Sequence, residues 1–242
     1  MPAASSANSL LILIDLDGTL ISCGLTPRQS LANALFQHTG KMVEFSYSQL
    51  AGLTDPLIID GALERLAVPA NQRDKLTRKI LKTYLNILAE RYPQATDQIL
   101  YTGVVELLEY LRNCGFRIGL ISGNSKKGAG IKIKPFNLKQ YFSFGVFGSD
   151  HTERDSLPLI ALRKVHQKFN EKYSPDRVVI IGDTVRDVQC ARRNGMRSIV
   201  VIRREGQRQV ILRESPDLIV DNFEDLKPIQ HYLQQLLIQP LA

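Results

Sequence analysis

The chain has 242 residues, of which 44% are hydrophobic and 23% charged, with a formal net charge of +7 and a pI near 9.4. Such proportions are those of a soluble globular protein with one large or two modest domains, and no apolar run approaches the ~20 residues that span a bilayer. Three cysteines (Cys23, Cys114, Cys190) without C-x-x-C spacing argue against a disulfide framework or a zinc site. They read as small apolar fillers in a protein of the reducing cytoplasm.

Residues 1–9 are short and polar, without a basic region or a long apolar core, and read as a disordered tail rather than a signal peptide. Residues 10–14 are an apolar run of strand length that stops at Asp15-Leu16-Asp17-Gly18-Thr19. Two residues apart in extended chain, Asp15 and Asp17 face the same side, where like charges repel unless a cation or a shared proton relieves them. A strand followed by a polar Asp-Gly turn explains Asp17-Gly18 but not the carboxylate at the strand end.

Thr26-Pro27 predicts a helix to about residue 39, with Thr26 as its cap, and Asp55-Pro56 predicts a second in the same way. Leu76, Ile80, Tyr84 and Leu88, spaced by four, predict a third. No strand is evident among them, so residues 22–92 form an all-helical insertion after the first strand, with hinges near 22–24 and 92–96.

From there strand and helix signals alternate. Strands are predicted over 116–121, 145–147, 178–181, 198–202 and 218–220, and helices over 104–114, 156–172, 187–194 and 223–237. Gly115 and Gly195 supply stop signals. The alternation predicts an α/β fold, a Rossmann-like parallel sheet with helices on both faces.

Three of these strands end in chemically related loops. The first carries Asp15 and Asp17. The strand at 116–121 runs into Ser122-Gly123-Asn124-Ser125, whose hydroxyls, amide and backbone donors suit phosphate oxygens. The strand at 178–181 runs into Gly182-Asp183-Thr184-Val185-Arg186-Asp187. Carboxylates 15, 17 and 183 on one sheet edge would be costly without a divalent ion, and Mg²⁺ suits such hard oxygen ligands. Asp187 fits equally a carboxylate that caps the next helix.

With these motifs the chain resembles the haloacid dehalogenase-like (HAD) phosphohydrolase superfamily, in its phosphoglycolate phosphatase-like branch with a helical cap. Asp15-Leu16-Asp17-Gly18-Thr19 matches the first motif, Ser122 the second, and Gly182-Asp183-Thr184 with Asp187 the fourth. Ala51-Gly52-Leu53-Thr54-Asp55 and Phe144-Gly145-Val146-Phe147-Gly148-Ser149-Asp150 are also similar to that branch, and the resemblance runs from about residue 10 to 226. It implies a core of residues 1–21 and 93–242 and a cap of residues 22–92. One departure stands out. The third motif supplies a Lys three residues before a Pro, and Glu153-Arg154-Asp155-Ser156-Leu157-Pro158 puts Asp155 there. Arg154 is the nearest cation, with Lys126 and Lys127 as other substitutes.

The resemblance implies Mg²⁺-dependent hydrolysis of a small phosphorylated metabolite, phosphoglycolate first among candidates. Asp15 would be the nucleophile, forming an aspartyl-phosphate, and Asp17 the acid and base. Asp15, Asp17 (through its backbone carbonyl), Asp183 and Asp187 would hold the metal. Thr19, Ser122, Gly123, Asn124 and Arg154 would bind phosphate, and Gly52, Thr54 and Asp55 of the cap would read the substrate, although Asp55 fits helix capping slightly better. A metal-free dehalogenase needs no second acid, so Asp17 argues against it. A sugar phosphomutase and a non-catalytic interaction module that retains the fold stay open as alternatives. Seven Arg between Arg192 and Arg213 raise nucleic acid as a partner. No aromatic platform or helix-turn-helix pattern joins them, and they read as solvated surface.

Overall fold

A computed structural model describes residues 9–238; of the tail expected over residues 1–9, all but Ser9 lies outside them. Strands β1 (Leu11–Ile14) and β2 (Ile21–Ser22) are followed by helices α1 (Thr26–Thr39), α2 (Asp55–Arg65) and α3 (Ala70–Arg91). The chain continues as β3 (Ile99–Leu100), α4 (Val104–Asn113), β4 (Arg117–Ser122), α5 (Lys126–Ile133), β5 (Phe144–Phe147) and α6 (Leu157–Phe169). It ends with β6 (Val178–Gly182), α7 (Val185–Arg193), β7 (Arg197–Val201), α8 (Arg208–Arg213), β8 (Leu218–Val220) and α9 (Lys227–Ile238).

Six strands form one parallel sheet in the order β5-β4-β1-β6-β7-β8. Strand direction of winding reverses at β1, so its C-terminal end is the switch point where open α/β sheets bind ligands. Burial on both faces is visible in the alternation of β1. Leu10, Ile12 and Ile14 pack in one cluster with Val104, Leu107 and Leu111 of α4 and Ile229 and Leu233 of α9. Leu11 and Leu13 pack on the other face, against Leu157, Ala161 and Val165 of α6 and Cys190 of α7. A continuous apolar run is what such a doubly covered parallel strand requires.

Helices α1–α3 enclose an apolar cluster of their own, including Leu35, Ile59, Leu63, Ile80, Tyr84 and Leu88. The helical segment leaves and rejoins the core through the short antiparallel pair β2–β3, with Ile21 opposite Leu100. No sequence signal anticipated that pair, nor α5 and α8. Two caps differ from expectation: Leu25 rather than Thr26 precedes α1, and Thr54 rather than Asp55 precedes α2, neither with a side-chain capping bond. Helix α6 stops at Phe169 because Asn170 turns left-handed at φ 55°, and α9 starts at Lys227, leaving Phe223 to fill the core. Of the cysteines only Cys190 is a buried filler; Cys114 is exposed and Cys23 partly buried. Among the described residues no helix is long and apolar enough to cross a membrane.

Candidate active site

The register that pairs Ile14 with both Leu120 and Ile181 brings the loops after β1, β4 and β6 to one edge. There they line a cavity of about 340 Å³ under the helical segment, with Asp15, Asp17, Ser122, Gly123, Asn124, Arg154 and Asp183 in its wall. Gly18 makes the close approach possible. Its φ is +87°, and a Cβ there would sit 2.3 Å from Asp183 Oδ2.

Asp15, Asp183 and Asp187 each offer a carboxylate oxygen within 4.8 Å of the others, all three buried. Burial pushes Asp15 up to about 7, with the Arg154 guanidinium opposing and the Asp187 and Asp17 carboxylates adding. Burial, then the Asp15 and Asp187 charges, hold Asp183 well above the usual carboxylate range. Three crowded oxygen donors, two of them with disfavoured ionised forms, fit a hard divalent cation, which would relieve the repulsion. Thr19 Oγ1 (3.4 Å) and the Tyr47 hydroxyl (3.4 Å) donate to the two oxygens of Asp183. Asp187 also closes a capping box at the start of α7, where Thr184 is the N-cap and Asp187 Oδ2 accepts from Thr184 N (3.0 Å) and Oγ1 (2.6 Å).

Arg154, in a turn ahead of α6, is only 6% exposed and bridges this cluster. Its Nη2 donates to Asp15 Oδ1 at 3.0 Å and to Asp187 Oδ1, while Nε is buried without a partner among the described residues. Burial alone would lower its pKa, but Asp187 and Asp15 outweigh that and raise it. Asp155 faces away to pair with Arg193 of α7. The unusual third motif therefore sets a cation beside Asp15, one residue ahead of the position where a Lys was expected. Lys126 and Lys127 are exposed and outside the cavity.

The side chain of Asp17 stands apart from the three clustered carboxylates. Its Oδ2 accepts from Asn124 Nδ2 (2.8 Å) and from Lys132 Nζ (2.5 Å), while Oδ1 is buried without a partner among the described residues. Lys132 also donates to Asn124 Oδ1 at 2.7 Å, and Asn124 Nδ2 reaches Ser122 Oγ at 2.8 Å. Burial would lower the Lys132 ammonium, but Asp17, then Tyr84, Cys23 and Asp55, hold it well above its ordinary range. Sequence reasoning missed Lys132. It lies on α5, a helix with two glycines and no apolar stripe, and its neighbours Lys126, Lys127 and Lys134 are exposed.

The remaining expected residues divide. Gly52 and Asp55 line the cavity, whereas Thr54 and Thr19 do not. Thr54 Oγ1 donates to Thr152 O at 2.6 Å. Asp55 accepts from Ser125 N at 2.7 Å, and its own amide donates to Gly123 O at 2.8 Å, so this carboxylate ties the helical segment to the core rather than capping α2. Gly123 permits the contact, because a Cβ there would lie 2.0 Å from Leu53 O. Arg186 Nη1 adds a bond to Ala51 O at 2.8 Å. Within the arginine-dense stretch, Arg203 is no solvated charge. It donates to Gly18 O (2.9 Å) and Thr19 O (2.8 Å) and stacks 3.6 Å from the Tyr101 ring.

The sequence profile of the haloacid dehalogenase-like hydrolases matches residues 12–201. The chain belongs to that family. It is 26% identical over 219 residues to a phosphoglycolate phosphatase of Synechococcus elongatus, covering 89% of this chain and 94% of that enzyme. To the phosphoglycolate phosphatase of Salmonella typhi it is 25% identical over 66% of this chain, spanning 61% of that enzyme's length. Among solved structures, CbbY from Rhodobacter sphaeroides in complex with phosphate superposes with a TM-score of 0.68 at 18% identity, over 90% of this chain and 96% of that one. This likeness is one of fold.

Proposed function

We propose that this family member is a divalent-metal-dependent phosphatase acting on a small phosphate monoester, with residues 22–92 as a cap over the site. The observation that carries the reading is the division of the first motif. Asp15 lies with Asp183, Asp187 and Arg154, while Asp17, two residues on, is held apart with one buried oxygen unpaired. A nucleophile and an acid–base group need that kind of separation of environments.

In this reading Asp15 attacks phosphorus in line and forms an aspartyl-phosphate, while the ester oxygen leaves with a proton from Asp17. Asp17 then takes a proton from a water that attacks phosphorus, which releases inorganic phosphate and restores Asp15. Arg154 and the donors of Ser122 and Gly123 orient the phosphoryl oxygens, while Asn124, whose amide donates to Asp17 and Ser122, orders the loop beneath them. Asp15, Asp183, Asp187 and the Asp17 carbonyl would hold Mg²⁺, which supplies charge neutralisation for the transferring phosphoryl group. The bonds from Asp55, Thr54 and Arg186 hold the cap down and keep bulk water from the acyl-phosphate. Phosphoglycolate heads the candidate substrates because relatives at 25–26% identity carry that activity in their names.

The test is phosphate release from a panel holding phosphoglycolate, sugar phosphates and nucleotides, for wild type and Asp15→Asn, with Mg²⁺ or EDTA. Release that requires both Asp15 and the metal supports the reading. Release that survives Asp15→Asn, or none on any ester, defeats it. A mutase instead interconverts phosphorylated isomers without net release.

A further inference from the structure

We propose that Lys132 is a positioning residue for the acid–base carboxylate. With Asn124 it clamps Asp17 Oδ2, so that Oδ1 alone is left for proton traffic with the substrate's ester oxygen. The inference rests on the phosphatase reading above and assigns a role to a residue that none of the family-like motifs contains.

Four observations carry it. Lys132 is 4% exposed, so its ammonium is not a surface charge that happens to lie near an acid. Both its contacts are inside the site, at 2.5 Å to Asp17 and 2.7 Å to Asn124, and Asn124 in turn donates to Asp17 at 2.8 Å. The triangle fixes the carboxylate plane, since two donors converge on one oxygen from different elements, the loop after β4 and helix α5. The other oxygen is buried and unpartnered among the described residues, an arrangement expected when its natural partner arrives with the substrate.

Charge gives the same answer. Asp15, Asp17 and Asp183 line one cavity, with Asp187 close to Asp15 and Asp183, and among the described residues Arg154 and Lys132 are the cations paired with these carboxylates. Arg154 serves the carboxylates of Asp15 and Asp187, so among the described residues no cation other than Lys132 pairs with Asp17. A dianionic phosphoryl group would then enter beside an uncompensated carboxylate, at a cost magnified by the low dielectric of a capped site. The arriving dianion offsets the ammonium in turn, so the same clamp serves Asp17 as acid in the first half-reaction and as base in the second. Held at fixed geometry, an acid–base group of this kind contributes about 10²–10⁴-fold to rate.

The decisive experiment compares two esters. An alkyl phosphate leaves as an alkoxide that needs a proton, whereas p-nitrophenyl phosphate leaves as a stable phenolate that does not. In single-turnover measurement of leaving-group release, Lys132→Met should slow the alkyl ester by about 10²-fold and spare p-nitrophenyl phosphate to within a few-fold, because the later hydrolysis of the aspartyl-phosphate, which uses Asp17 as base for both esters alike, does not enter this step. Lys132→Arg should recover part of the loss. A merely structural role would lower the melting temperature and reduce both esters alike; equal reductions, or no reduction, overturn the proposal. Should the Met variant not fold, Lys132→Gln, which keeps a donor without the charge, carries the same ratio measurement. Asp15→Asn on both esters separates the two levels. Release that persists there sinks the phosphatase reading itself, while Asp15-dependent release with an unchanged ester ratio sinks only the role of Lys132.

Discussion

The two aspartates of the first motif sit in opposite surroundings although one residue separates them. Around Asp15 the chain gathers like charges: Asp183 and Asp187 lie within ligand distance, and one guanidinium bridges two of the three. Around Asp17 it gathers neutral donors and an ammonium, from Asn124 and Lys132, with Asp55 of the helical segment close by. The first surroundings favour a metal and a covalent step, and the second favour a carboxylate whose geometry is settled before the substrate arrives. The contrast shows that the neighbours, not the motif, set the electrostatic surroundings of each carboxylate.

The strongest way to break the comparison is to remove one side at a time. Asp15→Asn should lower phosphate release by about 10⁴-fold or more in a steady-state assay, as loss of the proposed nucleophile requires. Arg154→Met should cost about 10²–10³-fold in kcat, as loss of one preorganised donor to the phosphoryl group does. It should also destabilise the metal-free fold by about 3–5 kcal/mol in urea titration, since the buried Asp15 and Asp187 would lose their counter-ion. An Arg154→Lys variant that regains most of the activity would show that charge, not the planar fork, is what matters there.

Two smaller effects sharpen the contrast. Asp55→Ala removes the acceptor for Ser125 N, and a melt should report a loss of about 1–3 kcal/mol together with a raised KM, because the start of α2 is then tied less firmly to the core. A loss confined to stability would place Asp55 outside substrate handling. The smallest effect is in pH. Asp15 is raised to about 7 and Asp183 well above its usual range, so in the metal-free fold both hold protons more tightly than in the unfolded chain. Their contribution is therefore fully present below the ordinary carboxylate value of 3.8 and is lost as pH rises toward 7. In the proposed metal site Mg²⁺ would bind the ionised forms, so its gain in melting temperature should grow between pH 5 and 8, within about a few degrees. A gain independent of pH would argue that the metal does not sit on these carboxylates.

Legibility in the sequence followed the same division. Asp15, Asp183 and Asp187 end apolar runs or open helices, so strand ends could be read and their convergence argued from the parallel sheet alone. Arg154 could be suspected only as the nearest cation to an expected lysine, and its reach to both carboxylates depends on the turn that precedes α6. Thr19 and Thr54 looked like ligand-facing hydroxyls, yet their partners are Asp183 and the Thr152 carbonyl, choices made by packing across more than 90 residues of chain.

Lys132 was invisible for a physical reason. Its burial compensates no local pattern: α5 has no apolar stripe, and its stabilising partners, Asp17 and Asn124, come from two other loops. Helix and strand periodicities, turn chemistry and motif spacing are local quantities, and they determined the parallel α/β core, the helical insertion and the edge that carries the acids. Which ammonium meets which carboxylate is a contest among long-range contacts and desolvation. That was decided only once the chain had closed over the cavity.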